Sequence, residues 1–223
     1  MGILGGIGPE STNNFYGRLV CMLQKRGISR NTDFPQIVIN SIPAPELIHN
    51  RISAEELEPY TRGLKELDSF GVDFIVMVCN TIHLFRNEMQ KQVKADILDL
   101  RKGIELELER RCIKSAVVLG TPATIKGGLY KSEGVRLLDV SEADITSLSG
   151  AIFNFNRGFE KEEQVGVVLG VAEKYLSGGA EAVILGCTEL SAMMKDKELP
   201  KIDTIALLVD MVMEMLEGGG VYG

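Results

Sequence analysis

Phe74-Ile75-Val76-Met77-Val78-Cys79-Asn80-Thr81-Ile82-His83 and Ala182-Val183-Ile184-Leu185-Gly186-Cys187-Thr188-Glu189-Leu190 are the two stretches from which the rest of this chain can be read. Each is an aliphatic run of strand length that stops at a cysteine followed by small polar residues. A run without polar alternation reads as a strand buried on both faces, the kind that parallel sheets use. Ligands of open α/β sheets bind beyond the carboxyl ends of such strands. Each cysteine therefore stands where chemistry would be placed.

Working outward, a second device also occurs twice. Met1-Gly2-Ile3-Leu4-Gly5-Gly6-Ile7-Gly8-Pro9-Glu10-Ser11-Thr12 is a short strand, a glycine-rich turn and a helix start with Ser11 or Thr12 available as N-cap. Ser115-Ala116-Val117-Val118-Leu119-Gly120-Thr121-Pro122-Ala123-Thr124 repeats the pattern. Gly120 follows Gly5 by 115 residues and Cys187 follows Cys79 by 108, so the same order recurs at a similar spacing. The chain is expected to be a duplicated α/β unit. A pseudo-twofold axis between the halves would turn the two strand-end cysteines toward each other across one cleft.

Between these landmarks the periodicity predicts helices over 12–26, 54–70, 96–111, 142–155, 162–177 and 205–217, and strands over 36–40 and 135–140. A further helix is expected to open at His83, and Arg157-Gly158 to form a corner. The proline-rich segment 41–51 cannot begin as helix and reads as a surface loop over the site, with His49 and Arg51 as candidate ligand groups. The glycine-rich tail after residue 217 should be loose.

Composition narrows the function classes. The 223 residues carry a net charge of −7 and a pI near 5.0, which disfavours nucleic acid or an anionic membrane as partner. No apolar run approaches the roughly 20 residues that a membrane span needs, and the expected location is the cytoplasm. The four cysteines have neither metal-ligand spacing nor a secretory context, so they read as reduced thiols, with Cys21 and Cys112 packed as small hydrophobes. The opening glycines are not a dinucleotide fingerprint, because Ser11 occupies the place of the third glycine, and NAD binding is disfavoured.

Two opposed thiols suit one task particularly well. Removing a proton from the carbon next to a carboxylate needs a base on one face, and inverting that carbon needs an acid on the other. A thiol, with an ordinary pKa of about 8.5, can be tuned to either role near neutrality. Helix N-termini after both strands would favour the thiolate. Asn80, Thr81, Thr188 and Glu189 are candidates to hold the substrate's carboxylate and ammonium, and Thr121, Thr124 and the turn at Gly8 to supply hydroxyl and backbone contacts. Two inert packed thiols and a redox disulfide across the cleft are the competing readings.

Gly5-Gly6-Ile7-Gly8-Pro9-Glu10, Cys79-Asn80-Thr81-Ile82-His83 and Gly186-Cys187-Thr188-Glu189-Leu190 together resemble the three motifs of the aspartate/glutamate racemase superfamily, most closely its aspartate racemase branch. The likeness spans nearly the whole chain. It implies two similar flavodoxin-like domains, 1–98 with 206–223 and 99–205, the last helix returning to the first domain. It further implies a homodimer, no pyridoxal phosphate, no metal, and proton transfer by Cys79 and Cys187. The Asp-Ser start of the glutamate racemase branch is absent, and the intact cysteine pair or the opening motif disfavours the one-cysteine decarboxylases and the maleate isomerases.

The sequence departs from aspartate racemases at one point. They carry a Pro-Asp-Arg motif in the loop after the second strand, whose arginine grips the substrate's side-chain carboxylate. Here the matching stretch is Pro45-Glu46-Leu47. Arg157 falls where the family has a second, lysine contact, and Arg51 or His49 is the candidate substitute for the first. The expected activity is thus a racemase of aspartate or of a less acidic amino acid. A non-catalytic binder of amino acids or dicarboxylates, and an isomerase or lyase with one nucleophilic cysteine, are the alternatives.

Overall fold

The computed structural model describes residues 1–47, 52–219 and 222. The first half runs β1 (Gly2–Gly5), α1 (Pro9–Lys25), β2 (Val38–Ser41), α2 (Ala54–Ser69), β3 (Phe74–Met77), α3 (Arg86–Gln90) and β4 (Asp96–Ile97). After α4 (Leu100–Arg110), the second half runs β5 (Ser115–Gly120), α5 (Pro122–Lys126), β6 (Arg136–Leu138), α6 (Glu142–Asn156), α7 (Lys161–Ser177), β7 (Ala182–Gly186), α8 (Thr188–Met193), β8 (Lys201–Asp203) and α9 (Thr204–Leu216). Each half is a parallel four-stranded sheet, ordered β2-β1-β3-β4 and β6-β5-β7-β8. The expected α/β architecture with two similar parallel sheets is therefore what the chain forms.

The register explains why the glycine turns and the cysteines belong together. Leu4 of β1 is paired with Met77 of β3, and Gly120 of β5 with Gly186 of β7. In both sheets the glycine turn and the cysteine thus emerge side by side at the carboxyl edge, next to the centre of the sheet. The absence of alternation in β3 and β7 has an equally direct cause. Val76 faces a core shared with α1, α4 and α9, while Ile75 and Met77 face a second core against α2. Ile184 joins the shared core, and Val183 and Leu185 face a third core with α6 and α7. All are fully buried, and each such aliphatic side chain contributes about 1.5–3 kcal/mol relative to exposure.

The shared core is also what joins the halves. It contains Ile3 and Val76 from the first sheet, Ala116 and Ile184 from the second, and Leu208 and Val212 of α9 between them. Polar contacts add to it: Arg18 of α1 bonds Asp203, the N-cap of α9, at 2.6 Å. Lys161 of α7 also reaches Glu10 of α1 at 2.9 Å.

Several local expectations need correction. Neither Ser11 nor Thr12 caps α1. Gly8 does so with φ of 82°, Pro9 takes the first helical position, and the Thr12 hydroxyl accepts from Gly6 N–H instead. The stretch 96–111 is not one helix: Asp96–Ile97 adds an edge strand, and the Asp99 side chain then caps α4 by accepting from Arg101 N–H. His83 lies inside a 3-10 turn, Thr81–Phe85, rather than opening a helix. Cys21 and Cys112 are exposed rather than packed, Cys112 because a left-handed turn with φ of 55° follows α4.

Candidate active site

Cys79 leaves the end of β3 and is followed by the tight 3-10 turn, whereas Cys187 stays extended and caps α8. Both thiols are free and buried, 8% and 7% exposed. They line one narrow cleft of about 40 Å³ between the two halves. Its polar surface comes from Glu46, Asn80, Thr81, Thr121, Asn156, Thr188 and Glu189, and its apolar surface includes Ile7, Leu47 and Ile152. The cysteines are close enough for the charge of Cys79 to bear on Cys187.

The electrostatics oppose the thiolate in this closed cleft. Burial pushes the Cys79 thiol up to about 12 and the charge of Glu189 adds to it, while the backbone N–H groups of Ile82 and Thr81 and the Thr81 hydroxyl pull the other way. Burial also raises Cys187 well above the usual thiol range, and here the adjacent carboxylate of Glu189 contributes through both its charge and a hydrogen bond. The sequence-based expectation that helix N-termini hold both groups as thiolates is reversed, because desolvation outweighs the few N–H donors.

Glu189 has a more specific place than a substrate contact. Cys187 Sγ donates to its Oε2 at 2.7 Å, the Thr188 hydroxyl bonds the same oxygen at 3.1 Å, and Ser11 of the other half donates to Oε1 at 3.2 Å. Gly8 makes that approach possible, since a Cβ there would lie 2.4 Å from Glu189 Oε1. Ser11 is a residue that sequence reading did not count among the site residues; a bond spanning 178 residues leaves no local signal.

The threonines also meet. Thr81 Oγ1 lies 3.0 Å from the hydroxyls of both Thr121 and Thr124, which are themselves 3.1 Å apart. Thr81 and Thr121 reach the cleft, and Thr124 stands behind them. Asn80 is engaged at both ends: Tyr130 donates to its Oδ1, and its Nδ2 donates to Thr204 Oγ1 at 3.1 Å. Thr204 in turn donates to Leu185 O at 2.8 Å, at the end of the Cys187 strand. Tyr130 and Thr204 were not anticipated, because they reach Asn80 from the other half of the chain.

The remaining candidates lie elsewhere. Arg157 is exposed, its guanidinium stacked 4.5 Å above the Phe153 ring, and it does not line the cleft. His49 and Arg51 lie outside the described residues. His83 is fully buried, its Nε2 within 3.4 Å of Met77 O and its Nδ1 without a partner. Among the described residues no group of three or more His, Cys, Asp or Glu is arranged to hold a metal ion. Nor is any helix there long and apolar enough to cross a membrane.

Two thiols at equivalent strand ends of a doubled α/β chain, in one cleft, are the arrangement that the motif resemblance to the racemases implied. Comparison with known proteins makes the assignment particular. Residues 4–212 match the family model described as Asp/Glu/Hydantoin racemase, and the chain belongs to that family. It is 30% identical over 218 residues to the broad specificity amino-acid racemase RacX of Bacillus subtilis, covering 93% of this chain and 94% of that one. It is similar in fold to the aspartate racemase of Picrophilus torridus, with a TM-score of 0.80, 21% identity and coverage of 97% and 94% of the two chains. An aspartate racemase homologue from Pyrococcus horikoshii has a TM-score of 0.74 at 24% identity, with coverage of 97% and 98%.

Proposed function

We propose that this enzyme interconverts the enantiomers of an α-amino acid by two-base proton transfer between Cys79 and Cys187. The observation that carries the reading is that both buried thiols line one cleft from opposite halves of the chain. In one direction Cys79, as thiolate, removes the α-proton, and the electron pair of the broken C–H bond passes into the substrate carboxylate. The Cys187 thiol then delivers its proton to the opposite face of the same carbon. Cys79 ends as thiol and Cys187 as thiolate, and the reverse reaction exchanges the roles.

The substrate itself supplies part of what the closed cleft lacks. Its ammonium group, brought beside the sulfurs, favours a thiolate that burial otherwise disfavours. The hydroxyls of Thr81 and Thr121, which line the cleft, are the groups assigned to hold the carboxylate as charge develops on it. Asn80 positions the turn after Cys79, since both ends of its amide are already bonded to protein. Glu189 keeps the proton of Cys187 in place by accepting from its Sγ. The reading also carries a homodimer, to be checked by light scattering.

The test is α-proton exchange measured alongside racemisation. Cys79→Ser and Cys187→Ser are each expected to abolish racemisation, while exchange of the α-proton with solvent survives for a single enantiomer, opposite in the two variants. Full racemisation by both variants would refute the mechanism. Thermal stabilisation by an amino acid without exchange in the wild type would favour a binding protein.

A further inference from the structure

If the α-carbon lies between the thiols, the substrate's side chain must leave along the wall not taken by the hydroxyls. The apolar lining of the cleft is Ile7 and Leu47 from one half and Ile152 of α6 from the other, and the exposed Glu46 and Asn156 also line it. Leu47 is 3% exposed and packs in the same core as Ile7 and Tyr60. Its loop is tied down two residues earlier, where the hydroxyl of the fully buried Tyr60 donates to Pro45 O. Leu47 is therefore a fixed part of the wall.

The charges around this wall are all of one sign. Among the described residues the charged side chains that line the cleft are Glu46 and Glu189, and no lysine or arginine does. Three cations on the flanking helices are engaged elsewhere: Arg18 with Asp203, Lys161 with Glu10, and Arg157 over Phe153. The Tyr60 phenol behind the wall is raised above its usual range, first by burial, then by the charges of Cys79, Glu56 and Glu46. A second substrate carboxylate would be desolvated against aliphatic carbon in a cleft that Glu46 and Glu189 also line, with no counter-charge lining it among the described residues.

From this we infer that the cleft takes amino acids whose side chain is aliphatic where it leaves Cα and carries no negative charge, and that Glu46 favours those ending in a cation. The inference rests on the racemase reading above and names its substrate class. Leu47 is the specificity-determining residue for exclusion of dicarboxylates, and Glu46 the residue that ranks cationic above neutral side chains.

The experiment follows loss of the Cα–H signal in D2O by NMR with the full chain and L-lysine, L-methionine, L-aspartate and L-glutamate. Lysine and methionine are expected to exchange, with kcat/KM for the two acidic substrates about a hundredfold lower or less. Glu46→Gln should raise KM for lysine by a larger factor than KM for methionine, and Leu47→Arg should move the preference toward aspartate. Aspartate or glutamate exchanging as fast as methionine overturns the substrate class while leaving the racemase reading intact. In that case, loss of the acidic activity in Arg51→Ala would assign the missing grip to Arg51. Exchange with none of the four, nor with any other common L- or D-amino acid, in the wild type overturns the racemase reading itself.

Discussion

His83, the last residue of the first cysteine motif, should make folding stability depend on pH between about 4 and 6.5. Burial is the dominant cause: it lowers the imidazole from 6.5 to about 4, opposed in part by the charge of Asp99 and the bond to Met77 O. Because the folded pKa is depressed, the unfolded chain takes up the proton first as the solution is acidified. Stability is therefore complete above pH 6.5, falls as the pH drops through that window, and stops falling on this account below about pH 4. Two and a half units at about 1.4 kcal/mol each correspond to about 3 kcal/mol. The assay is urea denaturation at pH 7.5 and at steps down to 4.5, for the wild type and for His83→Gln, whose amide can still donate toward Met77 O. The depressed carboxylates Glu107 and Asp144 lose their contribution only at lower pH and are common to both proteins, whereas Asp99 is coupled to His83 and its change belongs to the same effect. The variant's curve should be flatter by about the amount worked out above; parallel curves would show that His83 is not held neutral by burial.

Three other changes have defined outcomes. Glu189→Gln removes the charge that helps raise Cys187, so the pH profile of kcat/KM should move to lower pH, and an unchanged profile would dissociate the carboxylate from the thiol. Tyr130→Phe leaves the buried Asn80 Oδ1 without its donor and should cost about 1–3 kcal/mol by denaturation, with a reduced kcat because Asn80 follows Cys79. Gly120→Ala places a Cβ 2.6 Å from Gly186 O, where backbone meets backbone, and should destabilise by about 1–3 kcal/mol. A melting temperature equal to that of the wild type would show that β5 and β7 can part there without strain.

The features legible in the sequence were those with a local cause. β3 and β7 were readable because burial on both faces leaves an unbroken aliphatic run, and the two glycine turns because each occupies the same place in its half. Helix 54–70 was found from its spacing, and the structure adds the capping box between Ser53 and Glu56 that fixes its start. The two-residue strand β4 was missed since Asp96–Ile97 is too short to show a period and runs directly into the residues of α4. Cys21 and Cys112 were misplaced because a cysteine's average burial says nothing about one helix face or one left-handed turn. In the site, the cysteines and their neighbouring threonines were legible from the motifs. The partners of Asn80 and Glu189 were not: Tyr130, Thr204 and Ser11 lie 50, 124 and 178 residues away in the chain.

The two oxygens of Glu189 have different neighbours, and this has a consequence for how a molecule enters. One oxygen receives the proton of Cys187, and the other is anchored to Ser11 across the boundary between the halves. A cavity of about 40 Å³ has room for two or three water molecules, so under the proposed function an amino acid would enter by separation of the halves. Separation stretches the Ser11 contact and lets solvent reach the carboxylate, which weakens its hold on the thiol proton. Entry and readiness for proton transfer would then share a single acidic side chain, and reclosure over a ligand would restore both together.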